Sequence, residues 1–296
     1  MFDFESIEWS PFFELGAPAF SAGDFCETLD GGQAFTWHRT ARFSDARPEY
    51  AGTFCGTCAK LRLTDGNVEI SAPRALDPDE TAERARDYLD AGRDYIKLRK
   101  RLRDASDPIL DAALESHPTL RILRQNPADA IVCFICSSSK RIVQIKQCAA
   151  LLAEKLGGEI LPGVHALPDF ERIADAPIEL IRQCKLGFRA DYLKKSAQKI
   201  CEDGFDPMRL RDIPYAEAKK YLLSLRGIGD KVADCILLFG AARFEAFPVD
   251  TWIRQAMTKL YRTPDSPDAI RAFAAERFGA HAGFAQQLIF ADIRKK

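Results

Sequence analysis

The chain is predicted to be α+β, with an antiparallel β-sheet at its N-terminus and a mainly helical body after it. Three observations carry this reading. Short runs of aromatic and β-branched residues, separated by glycine and asparagine turns, fill residues 1 to about 73. From Leu76 onward the apolar residues recur at helical spacing. Around Gly227 and Gly229 one helical pattern ends and another begins, which makes two helices joined by a short glycine turn, with a lysine in the second helix's first turn.

Taken in order, Ala34-Phe35-Thr36-Trp37, Tyr50-Ala51-Gly52-Thr53-Phe54 and Val68-Glu69-Ile70 read as strands, with turns at Gly31-Gly32 and Asp65-Gly66-Asn67. Pro78 to Arg103 reads as helical with charges on most faces, so its cluster Lys97, Arg99, Lys100, Arg101 and Arg103 is expected to be a solvated face. After His117-Pro118 come apolar helices near 127–136, 141–156, 170–184, 190–202 and 215–225. The hairpin's second helix and two or three more complete the chain. This order places a β-rich domain at 1–117 and a helical domain at 118–296. Neither internal repeats nor low-complexity stretches interrupt it.

The length of 296 residues suffices for two domains, and 47% hydrophobic with 29% charged residues is ordinary for a soluble globular protein. The net charge of −1 hides an asymmetry: residues 1–117 hold 14 Lys/Arg against 22 Asp/Glu, and residues 118–296 hold 28 against 21. The basic half is the half with the hairpin, which points to an anionic partner there. Met1-Phe2-Asp3-Phe4-Glu5 is acidic where a secretory leader is basic, and no apolar run approaches membrane-spanning length, so the cytoplasm is expected. Nine cysteines on apolar segments fit reduced thiols. Cys55-Gly56-Thr57-Cys58 and Cys133-Phe134-Ile135-Cys136 have CxxC spacing, but the first falls in a strand-like region and the second in an apolar helix, without nearby histidine pairs. Core thiols are the expectation.

Small residues at Gly227 and Gly229 let backbone N–H groups approach an anion, and the dipole of the following helix adds positive potential. Lys231 sits one step inside that helix, where the same potential favours the neutral, nucleophilic amine. A helix from Asp230 to about Ala242 is roughly 18 Å long. Phe244 to Val249 can span roughly 20 Å when extended, enough to return Asp250 to the side of Lys231. Asp250 follows Pro248-Val249 and precedes Thr251-Trp252-Ile253, so it reads as an N-cap whose carboxylate can shuttle protons beside the amine. Asp230 and Asp234 read as exposed helix-start residues or caps.

These residues resemble the helix-hairpin-helix DNA glycosylase superfamily, whose lyase members carry a lysine after the Gly-x-Gly hairpin and an aspartate after a short Pro-Val segment. Four further segments look like its 8-oxoguanine DNA glycosylase family: Gly31-Gly32-Gln33-Ala34-Phe35-Thr36-Trp37, Arg124-Gln125-Asn126-Pro127 with Phe134-Ile135-Cys136-Ser137-Ser138, Gly187-Phe188-Arg189-Ala190, and Ala282-Gly283-Phe284-Ala285-Gln286-Gln287-Leu288-Ile289-Phe290. The resemblance covers nearly the whole chain. It implies a bifunctional glycosylase and AP lyase of bacterial type, with Lys231 as Schiff-base nucleophile and Asp250 as its proton acceptor and electrostatic partner. A target base leaves the stack to be read in a pocket. There the resemblance assigns Gly32 to the N7–H that distinguishes 8-oxoguanine from guanine, Phe290 and Cys235 to the two base faces, and Gln286 to the Watson–Crick edge.

By the same resemblance Arg189 contacts the orphaned cytosine and Phe188 fills the gap as an aromatic wedge. Three positions depart from the animal-type pattern: Ser139 stands for an asparagine at the orphan base, Phe188 for a tyrosine and Trp252 for a histidine. The loss of the asparagine implies relaxed discrimination of the opposite base. Phosphate contacts are expected from the amides of Gly227 and Gly229, from Lys140 and Arg141, and from Arg182, Lys185, Lys194 and Lys195. The carbonyls of Leu223, Leu225 and Ile228 match the family's structural Na, K or Ca site. Only Cys235 lies beyond Cys201, so the four-cysteine iron–sulfur cluster of some relatives is not expected. The implied partner is double-stranded DNA containing damaged guanine, met by a monomer at the nucleoid. A glycosylase for another damaged base, or a non-catalytic helix-hairpin-helix DNA-binding protein, stays open on the residues.

Overall fold

The computed structural model describes residues 4–103 and 106–295. Its N-terminal part is an antiparallel sheet of β1 (Phe13–Glu14), β2 (Trp37–Arg39), β3 (Glu49–Phe54), β4 (Thr57–Thr64) and β5 (Asn67–Ser71), in the spatial order β1-β5-β4-β3-β2. Helix α1 (Ala22–Asp30), capped by Ser21, precedes β2 and was not anticipated. Phe25, Leu29, Trp37, Tyr50, Leu61 and Ile70 are buried together between helix and sheet. Trp37 stacks on Phe54 at 5.3 Å and donates its indole N–H to the Tyr88 hydroxyl at 3.0 Å, so it serves the core and not the pocket.

The stretch read as one charged helix is two, α2 (Pro78–Tyr88) and α3 (Tyr95–Arg103), because Asp90 takes a φ of +50° and turns the chain between them. The α3 basic cluster is not uniformly solvated. Arg99 turns inward to donate to the Leu120 carbonyl at 2.9 Å and lies 5.1 Å from the Phe284 ring centroid. Burial lowers its pKa to about 10.

The helical body continues with α4 (Pro108–Ser116), α5 (Pro127–Ser137) and α6 (Ile142–Leu156). A small unanticipated hairpin, β6 (Glu159–Leu161) and β7 (Val164–His165), follows. The expected helix at 170–184 is divided into α7 (Phe170–Asp175) and α8 (Ile178–Gln183), since Pro177 offers no N–H to continue the first. Then come α9 (Arg189–Glu202), α10 (Tyr215–Ser224), α11 (Asp230–Phe239), α12 (Thr251–Leu260), α13 (Pro267–Phe278) and α14 (Ala282–Lys295).

The second, larger core runs from Phe35 through α3, α4 and all later helices, with Phe134, Ile236, Phe284 and Leu288 at its centre. The two cores interleave along the chain, since Leu123 packs with the sheet while Leu120 and Ile122 pack with the helices. A buried polar tie reinforces the junction: Asp24 of α1 accepts from His117 Nδ1 at 2.7 Å, the Thr119 amide at 2.8 Å and the Thr119 hydroxyl at 2.7 Å. Helix α1 is thereby tied to the chain at 117–119. Among the described residues no helix is long and apolar enough to cross a membrane.

Candidate active site

Helix α10 ends at Ser224 and the chain reverses through Gly227, whose φ is +84°. A Cβ there would lie 2.5 Å from Tyr192 Cδ2, so only glycine fits the hairpin. Gly229 is the N-cap of α11, with extended backbone and no side-chain cap, so the amides of the first turn keep their donor capacity. Lys231 is on that first turn. Asp250 is the N-cap of α12, accepting the Ile253 N–H at 2.8 Å, which fixes its carboxylate while leaving the second oxygen outside the cap bond.

Lys231 and Asp250 line one cavity of about 510 Å³, as do Gly32, Cys235, Gln286 and Phe290. Four elements supply them: the loop after α1, helix α11, the N-cap of α12, and α14. The wall is aromatic: Phe35 meets Phe134 edge-on at 5.4 Å, Phe134 stacks on Phe239 at 5.7 Å, and Lys231 Nζ lies 5.8 Å from the Phe134 centroid. Burial raises the Cys235 thiol to about 11 against the pull of the nearby Lys231, so at neutral pH it presents a protonated sulfur. Gln286 is buried at 4% exposure and its Oε1 has no hydrogen-bond partner. An unsatisfied buried acceptor costs about 1–3 kcal/mol, which a ligand donor would relieve.

The loop carrying Gly32 turns sharply, with φ at +108°, and a Cβ there would meet Ile142 Cδ1 at 3.2 Å. Gln33 is buried and bridges it to the helical side, donating to the Arg121 carbonyl at 2.9 Å and accepting the Leu123 N–H at 2.9 Å. Gln125 Nε2 donates to the Gln33 carbonyl at 2.7 Å. Of the Gln-x-Phe-x-Trp pattern, then, Gln33 holds the loop, Phe35 lines the cavity and Trp37 fills the core.

An adjoining cavity of about 670 Å³ shares Lys231, Asp250, Lys140, Arg141 and Trp252 with the first and adds Ser139. Trp252 at 54% and Phe188 at 59% exposure are large apolar side chains left open to solvent. Ser139 is exposed, with φ at +54°. Arg189 is buried; its guanidinium donates to the carbonyls of Ser138 and Leu186 and lies 4.2 Å from the Phe188 ring centroid. Lys140 donates to the Lys185 carbonyl at 3.0 Å, whereas Arg141 is exposed at the start of α6. Of the other basic residues, Arg182 pairs with Glu179, Lys195 with Asp191, and Lys194 donates to the Ala176 carbonyl.

Asp234 differs from its sequence reading. It is fully buried, accepts the Tyr215 hydroxyl at 2.7 Å and pairs with Lys219 at 2.8 Å, and burial raises its pKa despite Lys219. Asp230 lies 3.4 Å from the same lysine. Sequence reasoning missed Arg294, whose Nη1 donates to the Gly31 carbonyl at 2.6 Å, and Lys146, which donates to the Trp37 carbonyl at 2.7 Å and pairs with Asp30. The spacing Gln286, Phe290, Arg294, one residue per helical turn, was the available signal for the first.

Known proteins and domain families match this chain over most of its length. Residues 20–131 match the 8-oxoguanine DNA glycosylase N-terminal domain, and residues 132–279 match the HhH-GPD superfamily of base excision DNA repair proteins. An N-glycosylase/DNA lyase of Arabidopsis thaliana is 30% identical, the match covering 89% of this chain and 75% of that protein. A probable N-glycosylase/DNA lyase of Methanothermobacter thermautotrophicus is 32% identical over 64% of this chain and 68% of its own length. The apo structure of the Clostridium acetobutylicum 8-oxoguanine glycosylase/lyase superposes with a TM-score of 0.82 at 32% identity, covering 98% of this chain and 99% of that one.

Proposed function

This chain belongs to the 8-oxoguanine DNA glycosylase family of the helix-hairpin-helix base excision repair superfamily, and from that premise we propose that it excises 8-oxoguanine from duplex DNA and cleaves the resulting abasic site. The observation that carries the reading is the convergence of Lys231, Asp250, Cys235, Gln286, Phe290 and Gly32 on one cavity.

The neutral Lys231 amine attacks C1′ of the flipped nucleotide, and the bond from C1′ to the base nitrogen breaks with its electron pair leaving on the base. Asp250 takes the proton released from the amine and stabilises positive charge on the sugar. Opening of the sugar gives the Schiff base, which acidifies C2′; loss of a C2′ proton then expels the 3′ phosphate. Gln286 reads the base edge, Phe290 and the Cys235 thiol cover its faces, and Gly32 accepts N7–H. The open amides at Gly227 and Gly229 and the side chains of Lys140 and Arg141 hold phosphates, Phe188 wedges into the gap, and Arg189 swings to the orphaned base with Ser139 beside it. The departures at Ser139, Phe188 and Trp252 support a bacterial-type enzyme; that it acts as a monomer on the nucleoid is part of the same proposal.

No dissociable cofactor or iron–sulfur cluster enters this route. The carbonyls of Leu223, Leu225 and Ile228 suit a structural Na, K or Ca ion: Leu223 lies in the last turn of α10, where carbonyls lose their helical partners, and oxygen donors match hard cations. Held by these carbonyls, such an ion would supply positive charge at the hairpin.

Borohydride trapping on a duplex with one 8-oxoguanine opposite cytosine tests the proposal. An adduct with the wild type and none with Lys231→Gln is expected. Trapping on an abasic duplex alone would discard the base assignment, and no trapping on either would discard the lyase.

A further inference from the structure

We infer that Arg294 is a positioning residue for base discrimination, holding the peptide that precedes Gly32 from the helix that carries Gln286 and Phe290. The inference rests on the reading of Gly32 as the N7–H acceptor and goes beyond it by naming what aims that carbonyl. A carbonyl that distinguishes one N–H from a lone pair works only if its direction is fixed, since a loop free to rotate would turn a donor toward guanine at little cost.

The bonding around the loop supplies that fixation. The Gly31 carbonyl receives Arg294 Nη1 at 2.6 Å, and the Gln33 carbonyl receives Gln125 Nε2 at 2.7 Å. Both peptides flanking that of Gly32 are therefore clamped from the helical side, while the Gly32 carbonyl between them accepts no hydrogen bond from the described residues. Gly32 is required by its φ of +108°, yet glycine has the most backbone freedom to lose, so tethers on both neighbouring peptides are what fix its direction.

Arg294 is itself held. Its guanidinium lies 5.1 Å from the Phe290 ring centroid and 3.4 Å from Glu27 Oε1 of α1. Glu27 also accepts the Gly31 N–H through its backbone carbonyl at 2.9 Å, so α1, the loop and α14 meet at this one side chain. Because Gln286, Phe290 and Arg294 follow one another at single-turn spacing, the base-edge reader, the stacking ring and the loop tether share a rigid face of α14. A shift of that face moves all three together, which keeps the carbonyl in register with the ring.

The experiment compares wild type, Arg294→Met and Arg294→Lys in single-turnover excision from an 8-oxoguanine:cytosine duplex and in cleavage of a preformed abasic site, which offers no base to read. Arg294→Met keeps the apolar stem against Phe290 but removes the donors. The ratio of excision rate to abasic cleavage rate is expected to fall about 10- to 100-fold, the loss typical of one charge-assisted hydrogen bond, with Arg294→Lys recovering part of it. An unchanged ratio, whether both rates hold or both fall together, overturns the tether. A wild type that cleaves abasic DNA without releasing 8-oxoguanine overturns the substrate reading, and this inference with it.

Discussion

Helix α11 carries two lysine–aspartate relationships of opposite character. On one side Asp234 is fully buried and engaged by Lys219 and Tyr215, a closed contact that fastens α10 to α11. On the other, Lys231 has no ion pair among the described residues and shares an open cavity with Asp250, which spends one oxygen on a helix cap. The same two residue types make a rivet in one place and candidate chemistry in the other. What separates them is whether the charged groups are enclosed by packed neighbours or face space that a ligand can enter.

The sharpest way to break this contrast is to exchange the consequences. Lys231→Gln should reduce excision by at least about 1,000-fold, as loss of a covalent nucleophile does, with thermal midpoint nearly unchanged. A residual rate within tenfold of wild type would remove Lys231 from the chemistry. Lys219→Met should do the reverse: Asp234 is left buried without its cation, which costs about 3–5 kcal/mol in urea unfolding, while the folded fraction still traps on abasic DNA. A cost under about 1 kcal/mol would mean that Asp234 is not held by charge.

Asp24 sharpens the comparison from the acid side. Burial opposes its ionisation, yet hydrogen bonds from His117 and Thr119 prevail and hold its pKa below the ordinary 3.8. A depressed carboxylate stabilises the fold above the unfolded value, and that contribution is lost as pH falls from about 3.8 toward the folded one. Asp24→Asn should cost about 1–3 kcal/mol at neutral pH and flatten the decline below pH 4 in thermal scans; an equally steep decline would place the acid sensitivity elsewhere. Asp234, raised by burial, runs the other way, its cost being relieved as pH falls. The smallest effect lies on the open side of the site. Excision opposite adenine and cytosine should differ by less than about tenfold, and Ser139→Asn should restore up to about tenfold preference for cytosine, one hydrogen bond's worth; a large wild-type preference for cytosine would sink this.

Much of the architecture was legible because its signals are local. Period-2 runs marked the sheet, Pro and Asp marked helix starts, and Asp250 announced its cap by position. Helix α1 was hidden because its charges and glycine blur the helical period, and the breaks at Asp90 and Pro177 were read through because the flanking residues keep helical spacing. In the site, Lys231, Asp250 and Gln286 stood out as motif residues. Arg294 and Lys146 did not, since nothing in their own neighbourhood tells which carbonyl each will meet.

The sequence by itself determined the α+β order, the glycine hairpin with its first-turn lysine, and the capping aspartate, all products of backbone preference within a few residues. Only the tertiary structure decided that Asp234 is buried and that the carbonyls flanking Gly32 are clamped by Arg294 and Gln125 from the helical side. Propensity and capping act over a turn or two of chain, whereas burial and hydrogen-bond satisfaction depend on groups as far as 267 residues apart, as for Glu27 and Arg294, which only the packed fold brings together.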